Sequence, residues 1–166
     1  MAGEASPLWQ EPLPSLAIST VNAVPDAANV RTRVHEYGGG EYTVWRDRLF
    51  YVDDADRRVH GGPIGGPMVP LTPAGSCYAE PVVSPDGRWL VAVEERPVGG
   101  REPENRLIAV PLGDAAGRSG PIVPGPARVV AAGHDFYASP VFDPASERLA
   151  FLAWDHPHMP WQESVL

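Results

Sequence analysis

The stretch YASPVFDPASERLAFLAW, residues 137–154, repeats in altered form the stretch YAEPVVSPDGRWLVAVEE, residues 78–95, which begins 59 residues earlier. Tyr, Ala, Pro, Val, a second Pro and Leu fall at the same offsets in both. Each copy contains an apolar strand, a turn that includes the second Pro, and a second, more apolar strand. A strand–turn–strand unit that recurs in this way predicts a repeat architecture.

A third and more divergent copy begins at Tyr37. Its predicted strands are EYTVW (41–45) and LFYV (49–52). Between successive copies the sequence predicts two further strands, and an additional one precedes the first copy. The predicted third strands are RRVH (57–60) and RLIAVPL (106–112), the fourth are MVPLT (68–72) and ARVVAA (127–132), and NVRTRV (29–34) occupies the fourth-strand position before Tyr37. In all three copies a Tyr is followed twelve residues later by Leu: Tyr37 and Leu49, Tyr78 and Leu90, Tyr137 and Leu149.

Units of four short strands are typical of β-propeller blades. The sequence therefore predicts an all-β chain, a partial β-propeller of four-stranded antiparallel blades, with about two full blades plus flanking strands. We assign residues 29–161 to this partial propeller, residues 1–28 to a flexible leader and residues 162–166 to a truncated tail. Since a propeller needs about four to eight blades to close, this chain is not expected to form a ring alone.

Three Gly-rich or Pro-rich segments are predicted to interrupt the blades. RPVGGREPEN (96–105) and GDAAGRSGPIVPGP (113–126) are interpreted as surface loops. HGGPIGGP (60–67) carries more Gly than a third strand usually contains, which predicts weak pairing in the first blade.

Composition excludes several classes of function. The net charge is −8 and all 13 cationic residues are Arg, so the chain lacks the clustered cations that nucleic-acid binding requires. No apolar run is long enough to span a membrane, and the first residues do not have the pattern of a signal peptide. The single cysteine, Cys77, cannot form an internal disulfide, which favours a reducing cytoplasm.

Two local patterns resemble ligand sites. VRTRVHEYGGG (30–40) lacks the Gly-Lys-Ser/Thr of a phosphate-binding loop and is interpreted as a tight turn before the first blade strand. In WDHPHMPW (154–161), His156 and His158 could share one face of a strand as metal ligands. No Cys or carboxylate cluster lies nearby, so we predict instead an aromatic-rich turn in which Trp154, Met159 and Trp161 pack.

No catalytic constellation is recognisable in the sequence. The nearest approach to Gly-x-Ser-x-Gly is GRSGP (117–121), which has the wrong spacing. Cys77 precedes a blade strand and is expected to be a small buried residue. Glu36 and Asp135 each precede a repeat Tyr, and paired carboxylates are conceivable there, although neither has an evident partner. The sequence thus predicts no catalytic, cofactor-binding or metal-binding residues and no cofactor.

Three separated motifs carry a resemblance to a known family. VRTRVHEYGGGEYTV (30–44), GHDFYASPVFDP (133–144) and WDHPHMPW (154–161) together resemble the N-terminal β-propeller of the prolyl oligopeptidase family of serine peptidases, in its dipeptidyl aminopeptidase and acylaminoacyl-peptidase-like branch. The resemblance implies a propeller that covers an α/β-hydrolase domain with a Ser–Asp–His triad. In that family the propeller screens substrate size and contacts the amino end of the peptide, and the enzyme cleaves short peptides.

The chain departs from the family in that the opening blades and the whole hydrolase domain are not found in its sequence. No triad residue can be carried over, so we expect the chain to be inactive alone and to have a hydrolase domain as its partner. The alternative function is a non-enzymatic propeller used as a binding or scaffold module. Open strand edges also predict self-association.

Overall fold

A computed structural model describes residues 22–36, 38–113 and 121–166, in which ten strands form three antiparallel sheets. In every sheet the strands pair in chain order, which confirms the predicted all-β fold built of four-stranded units. Within the described ranges no helix is long and apolar enough to cross a membrane. The first sheet contains β1 (Tyr42–Trp45), β2 (Arg48–Val52), β3 (Val59–Pro63) and β4 (Val69–Pro70); the second contains β5 (Cys77–Val83), β6 (Trp89–Val98), β7 (Arg101–Pro111) and β8 (Arg128–Ala132); the third contains β9 (Phe136–Phe142) and β10 (Leu149–Trp154).

The repeated stretch has the same conformation in the second and third sheets. Tyr78 and Tyr137 are both fully buried in the first strand of their sheets. In the turns that follow, Gly87 has a φ of 74° and Ser146, at the same position of the next repeat, has a φ of 63°. The loss of Gly in the third copy therefore leaves the turn unchanged. Tyr37 lies outside the described residues, so the first copy is represented by β1 and β2.

The core consists of two layers, one on each face of the second sheet. Leu90 and Ala92 of β6 pack towards the first sheet, whereas Val91 and Val93 pack towards the third. Because alternate side chains of a strand point to opposite faces, a blade held between two neighbours must be apolar on both, which explains the continuous apolar run of β6. The first layer contains Phe50, Val52, Val59, Leu71, Tyr78, Val83, Leu90, Ala92, Ile108, Val110, Leu112 and Ile122, and the second contains Val34, Ala79, Val91, Val93, Leu107, Ala109, Tyr137 and Ala153.

The weak pairing predicted for the Gly-rich third strand is wrong. β3 pairs with β2 over five residues, from Arg48 opposite Pro63 to Val52 opposite Val59. A Cβ atom at Gly61 would lie 2.8 Å from Cδ1 of Phe50, closer than side-chain atoms can approach. The glycine thus allows the backbone to lie directly against the core.

The segment 29–34 does not form the strand predicted before the first blade. Val30 makes only an isolated bridge to Asp53, and the Arg31 N–H donates to the Val52 carbonyl at 3.1 Å. The segment therefore lies alongside the end of β2 and does not form the fourth strand of an earlier blade. Residues 1–21 of the predicted leader lie outside the described residues, and residues 22–28 contain no strand.

The prediction of a surface loop at 96–105 is also wrong, because β6 and β7 continue through these residues as a long hairpin. Pairing runs from Glu95 opposite Asn105 to Val98 opposite Arg101. An ion pair of 2.5 Å joins Arg96 to Glu104 across the two strands. The polar composition reflects a solvent-exposed hairpin with no core to cover. In the other predicted loop, residues 114–120 lie outside the described residues and residues 121–126 contain no strand.

The segment 162–166 lies along the free edge of β10. Val165 and Ala153 exchange both backbone hydrogen bonds, at 2.8 and 3.0 Å. In the second sheet the equivalent residue, Glu94, pairs with Arg106 of β7. Val165 thus occupies the position at which a third strand would begin to pair with the third blade.

Candidate functional site

A cavity of about 370 Å³ lies where the second and third sheets end beside each other. The cavity lies at the end of the two sheets where β6 and β10 finish and where β7 and β9 begin. The turn at His35 lies at the same end. Four acidic side chains and five aromatic or imidazole rings dominate the walls. The lining residues are His35, Glu36, Glu95, Glu102, Pro103, Asn105, Asp135, Phe136, Trp154, His156, Pro157, His158 and Met159.

The long β6–β7 hairpin forms one wall and is tied to the third sheet by Asn105. The Asn105 Nδ2 atom donates to the Asp135 carbonyl at 2.8 Å. Asn105 is only 9% exposed, and its Oδ1 atom has no hydrogen-bond partner among the described residues. This wall therefore presents an unused hydrogen-bond acceptor.

The turn at His35 has an unusual backbone. His35 and Glu36 have φ values of 57° and 64°, in the left-handed region, which costs a residue with a side chain about 1–2 kcal/mol. The His35 N–H donates to Oε2 of Glu95 at 3.0 Å, which anchors the turn to the end of β6. Burial lowers the pKa of His35, which favours the neutral form of its ring. Strained residues of this kind are concentrated at functional positions.

Aromatic rings form the floor of the cavity. Phe136 and Trp154 stack with their ring centroids 5.3 Å apart and an angle of 17° between their planes. The His35 ring meets both of them edge-on, at 5.3 Å and 5.8 Å. The His156 ring lies 4.8 Å from that of Phe136. The floor thus offers aromatic faces beneath acidic walls.

Two pairs of His and Asp join the start of β9 to the end of β10 beside the cavity. The Asp155 carboxylate lies 2.9 Å from Nδ1 of His134 and accepts the Asp135 N–H at 2.7 Å. The Asp135 carboxylate in turn accepts the His156 N–H at 2.9 Å and lies 3.1 Å from its Nδ1 atom. The expectation that Asp135 has no partner is therefore wrong. The Asp135 N–H and then His134 hold the pKa of Asp155 below its ordinary value.

The structure brings the two conceivable carboxylates, Glu36 and Asp135, to the walls of one cavity. Glu95 joins them there. Burial raises the pKa of Glu95, the neighbouring Glu36 adds to this effect, and the His35 N–H opposes it. An incoming cation would therefore be stabilised by this group of carboxylates.

Cys77 lies elsewhere, at the start of β5, beside a second cavity of about 220 Å³. It is half-buried rather than buried, and its Sγ atom is 3.7 Å from Nη1 of Arg57. Residues 117–120 of the GRSGP stretch lie outside the described residues.

The two histidines considered as metal ligands have separate carboxylate partners. His156 pairs with Asp135, and Nε2 of His158 lies 3.3 Å from Oε2 of Glu163. In the described part of the chain no group of three or more His, Cys, Asp or Glu side chains is arranged to hold a metal ion.

The packing predicted for the aromatic-rich turn is wrong for two of its three residues. Trp154 is buried, but Met159 is 38% and Trp161 76% exposed. β10 ends at Trp154, and residues 155–161 form turns outside the sheet, which leaves Met159 and Trp161 exposed.

Sequence reasoning missed Glu95, Asn105 and Phe136 as cavity residues. They come from three strands and are distant from one another in sequence, so no local spacing joins them. One available signal was the mirrored order of His134-Asp135 and Asp155-His156 at the two ends of one hairpin.

Comparison with solved structures finds extensive similarity. A puromycin-hydrolyzing peptidase of Mycobacterium tuberculosis matches with a TM-score of 0.67 and 32% identity, over 86% of this chain and 23% of that one. Puromycin hydrolase matches with a TM-score of 0.64 and 30% identity over the same shares, as does a mutant of it complexed with PGG. Comparisons with protein-family models and with curated proteins find no match.

The chain therefore spans about a quarter of the length of these structures, since it covers 23% of each. The chain is a section of β-propeller that belongs to the prolyl oligopeptidase family of peptidases.

Proposed function

We propose that this chain is the substrate-gating propeller section of a serine peptidase that cleaves short peptides. The observation that carries the proposal is the 30–32% identity to puromycin-hydrolyzing peptidases over 86% of the chain. Such identity exceeds what a shared fold alone provides. An α/β-hydrolase domain is the proposed partner and supplies the nucleophile and its base.

The cavity supports a gating role. Its volume of about 370 Å³ lies at the small end of the usual range for ligand sites, about 300–1,000 Å³. It can therefore accept one end of a peptide but not a folded chain. Two adjacent blades contribute its walls, so its shape depends on how those blades pack.

The chain alone is proposed to lack hydrolytic activity. Nucleophilic catalysis requires an activated Ser, Cys or Thr beside a positioned base. In the described residues Cys77 has Arg57 rather than a base beside its sulfur.

The free thiol is also compatible with the reducing cytoplasm, where we propose that the protein resides.

A chimera tests the proposal. Residues 29–161 would replace the matching section of the Mycobacterium tuberculosis peptidase, and hydrolysis of a ladder from dipeptides to dodecapeptides would be measured beside the 166-residue chain. We expect the folded chimera to cleave short peptides and reject long ones, and the chain alone to show no turnover. A chimera that cleaves all lengths equally would overturn the gating role. A folded but inactive chimera, with peptide binding retained by the chain, would identify a non-enzymatic binding module instead.

A further inference from the structure

The β6–β7 hairpin stands between two cavities. On one side lies the larger cavity, of about 370 Å³, and on the other the smaller cavity, of about 220 Å³, beside Cys77. Glu95 and Pro103 line both of them. The opposite wall of the smaller cavity includes Asp56 and Arg57 of the first sheet, whereas that of the larger cavity belongs to the third sheet. One hairpin is therefore the common wall of the two cavities.

The outer part of this hairpin can move without disturbing the core. Residues 96–104 are exposed except for the half-buried Val98, and none of them belongs to either core layer. The pairing of the two strands shifts register just after Arg96, and such an irregularity bends a strand. Segments with few buried apolar contacts and exposed backbone hydrogen bonds move at a low cost in free energy.

Two hydrogen bonds at the base of the hairpin hold it towards the third sheet. The Nδ2 atom of Asn105 donates to the Asp135 carbonyl at 2.8 Å. Oε2 of Glu95 accepts the His35 N–H at 3.0 Å, and the His35 ring packs edge-on against two aromatic rings of the third sheet. Both bonds therefore favour the position in which the hairpin lies close to the larger cavity.

The same position leaves one polar group unsatisfied. The Oδ1 atom of Asn105 is buried without a hydrogen-bond partner among the described residues, and a buried acceptor without a donor is unfavourable. Movement of the hairpin away from the third sheet would expose this oxygen to water. The gain from the Nδ2 bond is thus opposed within the same side chain, which brings the two positions closer in free energy.

From these features we infer that the hairpin of residues 95–105 is a movable wall that controls the two cavities reciprocally. When it moves away from the third sheet, the larger cavity widens and the smaller cavity beside Cys77 narrows. A molecule that fills the smaller cavity holds the hairpin against the third sheet, and the coupling is equal in both directions. The inference goes beyond the gating role and does not rest on it, so the chimera experiment tests that role separately.

Cys77 is a native reporter of the smaller cavity, since the chain contains one cysteine. The rate of its alkylation by iodoacetamide would be measured in the full 166-residue chain. Asn105→Ala removes the bond to Asp135 and should slow alkylation about threefold to tenfold, because the hairpin then covers the smaller cavity for more of the time. General loosening of the fold would have the opposite effect and make alkylation faster. Glu147→Gln, at an exposed position away from the hairpin, is the control and should react like the parent chain. An unchanged or faster rate in Asn105→Ala would overturn the movable wall.

A second measurement needs no substitution and decides even if Asn105→Ala does not fold. Cys77 of the parent chain would be modified with N-ethylmaleimide, which fills the smaller cavity, and amide hydrogen exchange would be followed by mass spectrometry. Exchange in residues 96–104 should become at least threefold slower, while the turn at residues 143–148 exchanges as before. Unchanged or faster exchange in the hairpin after modification would contradict the reciprocal control.

Discussion

The carboxylate of Glu80 accepts a hydrogen bond from the backbone N–H of Ser139, and these two residues occupy the same position in successive repeats. Both have left-handed backbones, with φ values of 51° and 54°. The Glu80 N–H in turn donates to the Gly40 carbonyl at 2.7 Å, beside the start of β1. Glu80 of β5 thus links the first strand of its own sheet to β9 and to the residue that leads into β1.

Glu80→Gln should alter how stability depends on pH. Burial raises the pKa of Glu80 and the Ser139 N–H opposes this effect, so the folded state binds the proton more tightly than the unfolded state. The stabilisation from protonation is therefore present in acid and is lost as pH rises through the folded-state pKa. As pH falls from about 7 to about 4.5, the ordinary value for Glu, the parent chain should gain stability relative to Glu80→Gln. Urea unfolding at both values measures this, and parallel pH profiles would contradict it.

Gly87→Ala should destabilise the second blade. Gly87 has a φ of 74°, and a side chain in that region costs about 1–2 kcal/mol. Gly99→Ala is the matched control, because Gly99 is not in the left-handed region and a Cβ atom there would meet nothing within 4 Å. The control should be neutral or slightly stabilising in the same urea experiment. Equal losses in the two variants would show that the turn does not depend on positive φ.

Tyr78→Phe should cost more than Tyr137→Phe, although the two tyrosines are equivalent in the repeat. The single proton of the Tyr78 hydroxyl is shared between the Pro73 carbonyl at 3.0 Å and Oε1 of the buried Glu94 at 3.1 Å. Its loss leaves a buried carboxylate oxygen without that donor, at about 1–3 kcal/mol. Among the described residues, the Tyr137 hydroxyl accepts the N–H of the half-buried His134, a bond worth about 0.5–1.5 kcal/mol. Chemical unfolding of the two variants decides, and a larger loss for Tyr137→Phe would contradict this reading.

Val141→Glu should reduce self-association of the isolated chain. Val141 is 56% exposed on the outer face of the third sheet, whereas Val82, its equivalent in the second sheet, packs against the second core layer. An apolar face of this kind favours association. Size-exclusion chromatography should show concentration-dependent elution of the parent chain and a smaller dependence for the variant. Val123→Glu, at a 72% exposed loop position, should behave like the parent. A monomeric parent at all concentrations would contradict the prediction.

The repeat was sufficient to predict the blades because each apolar position in it packs against the same neighbouring sheet in every copy. Leu90 faces the preceding blade and Val91 the following one, so strand order and facing follow from the alternation of apolar residues. The same reasoning failed where strands have no core to cover. The hairpin around Gly100 is paired through exposed polar residues, which in sequence are indistinguishable from a loop.

The cavity could not be predicted because it depends on tertiary packing alone. The sequence indicates Glu36 and Asp135 as separate carboxylates, but Asn105 and Trp154, which line the same cavity, lie on distant strands. Nothing in local spacing indicates that the β6–β7 hairpin lies beside the third sheet.

The stacked-blade fold, on which the cavity depends, is tested most directly by nuclear Overhauser contacts. These would be measured between the second sheet and each of its two neighbours. The fold predicts contacts from the Leu90 methyl groups to the Phe50 ring and from the Val93 methyl groups to the Tyr137 ring. Both sets should be present, with Leu90 and Val93 never sharing the same aromatic partner. Contacts from Leu90 and Val93 to a single ring, or the absence of both sets in a folded chain, would contradict the stacked blades.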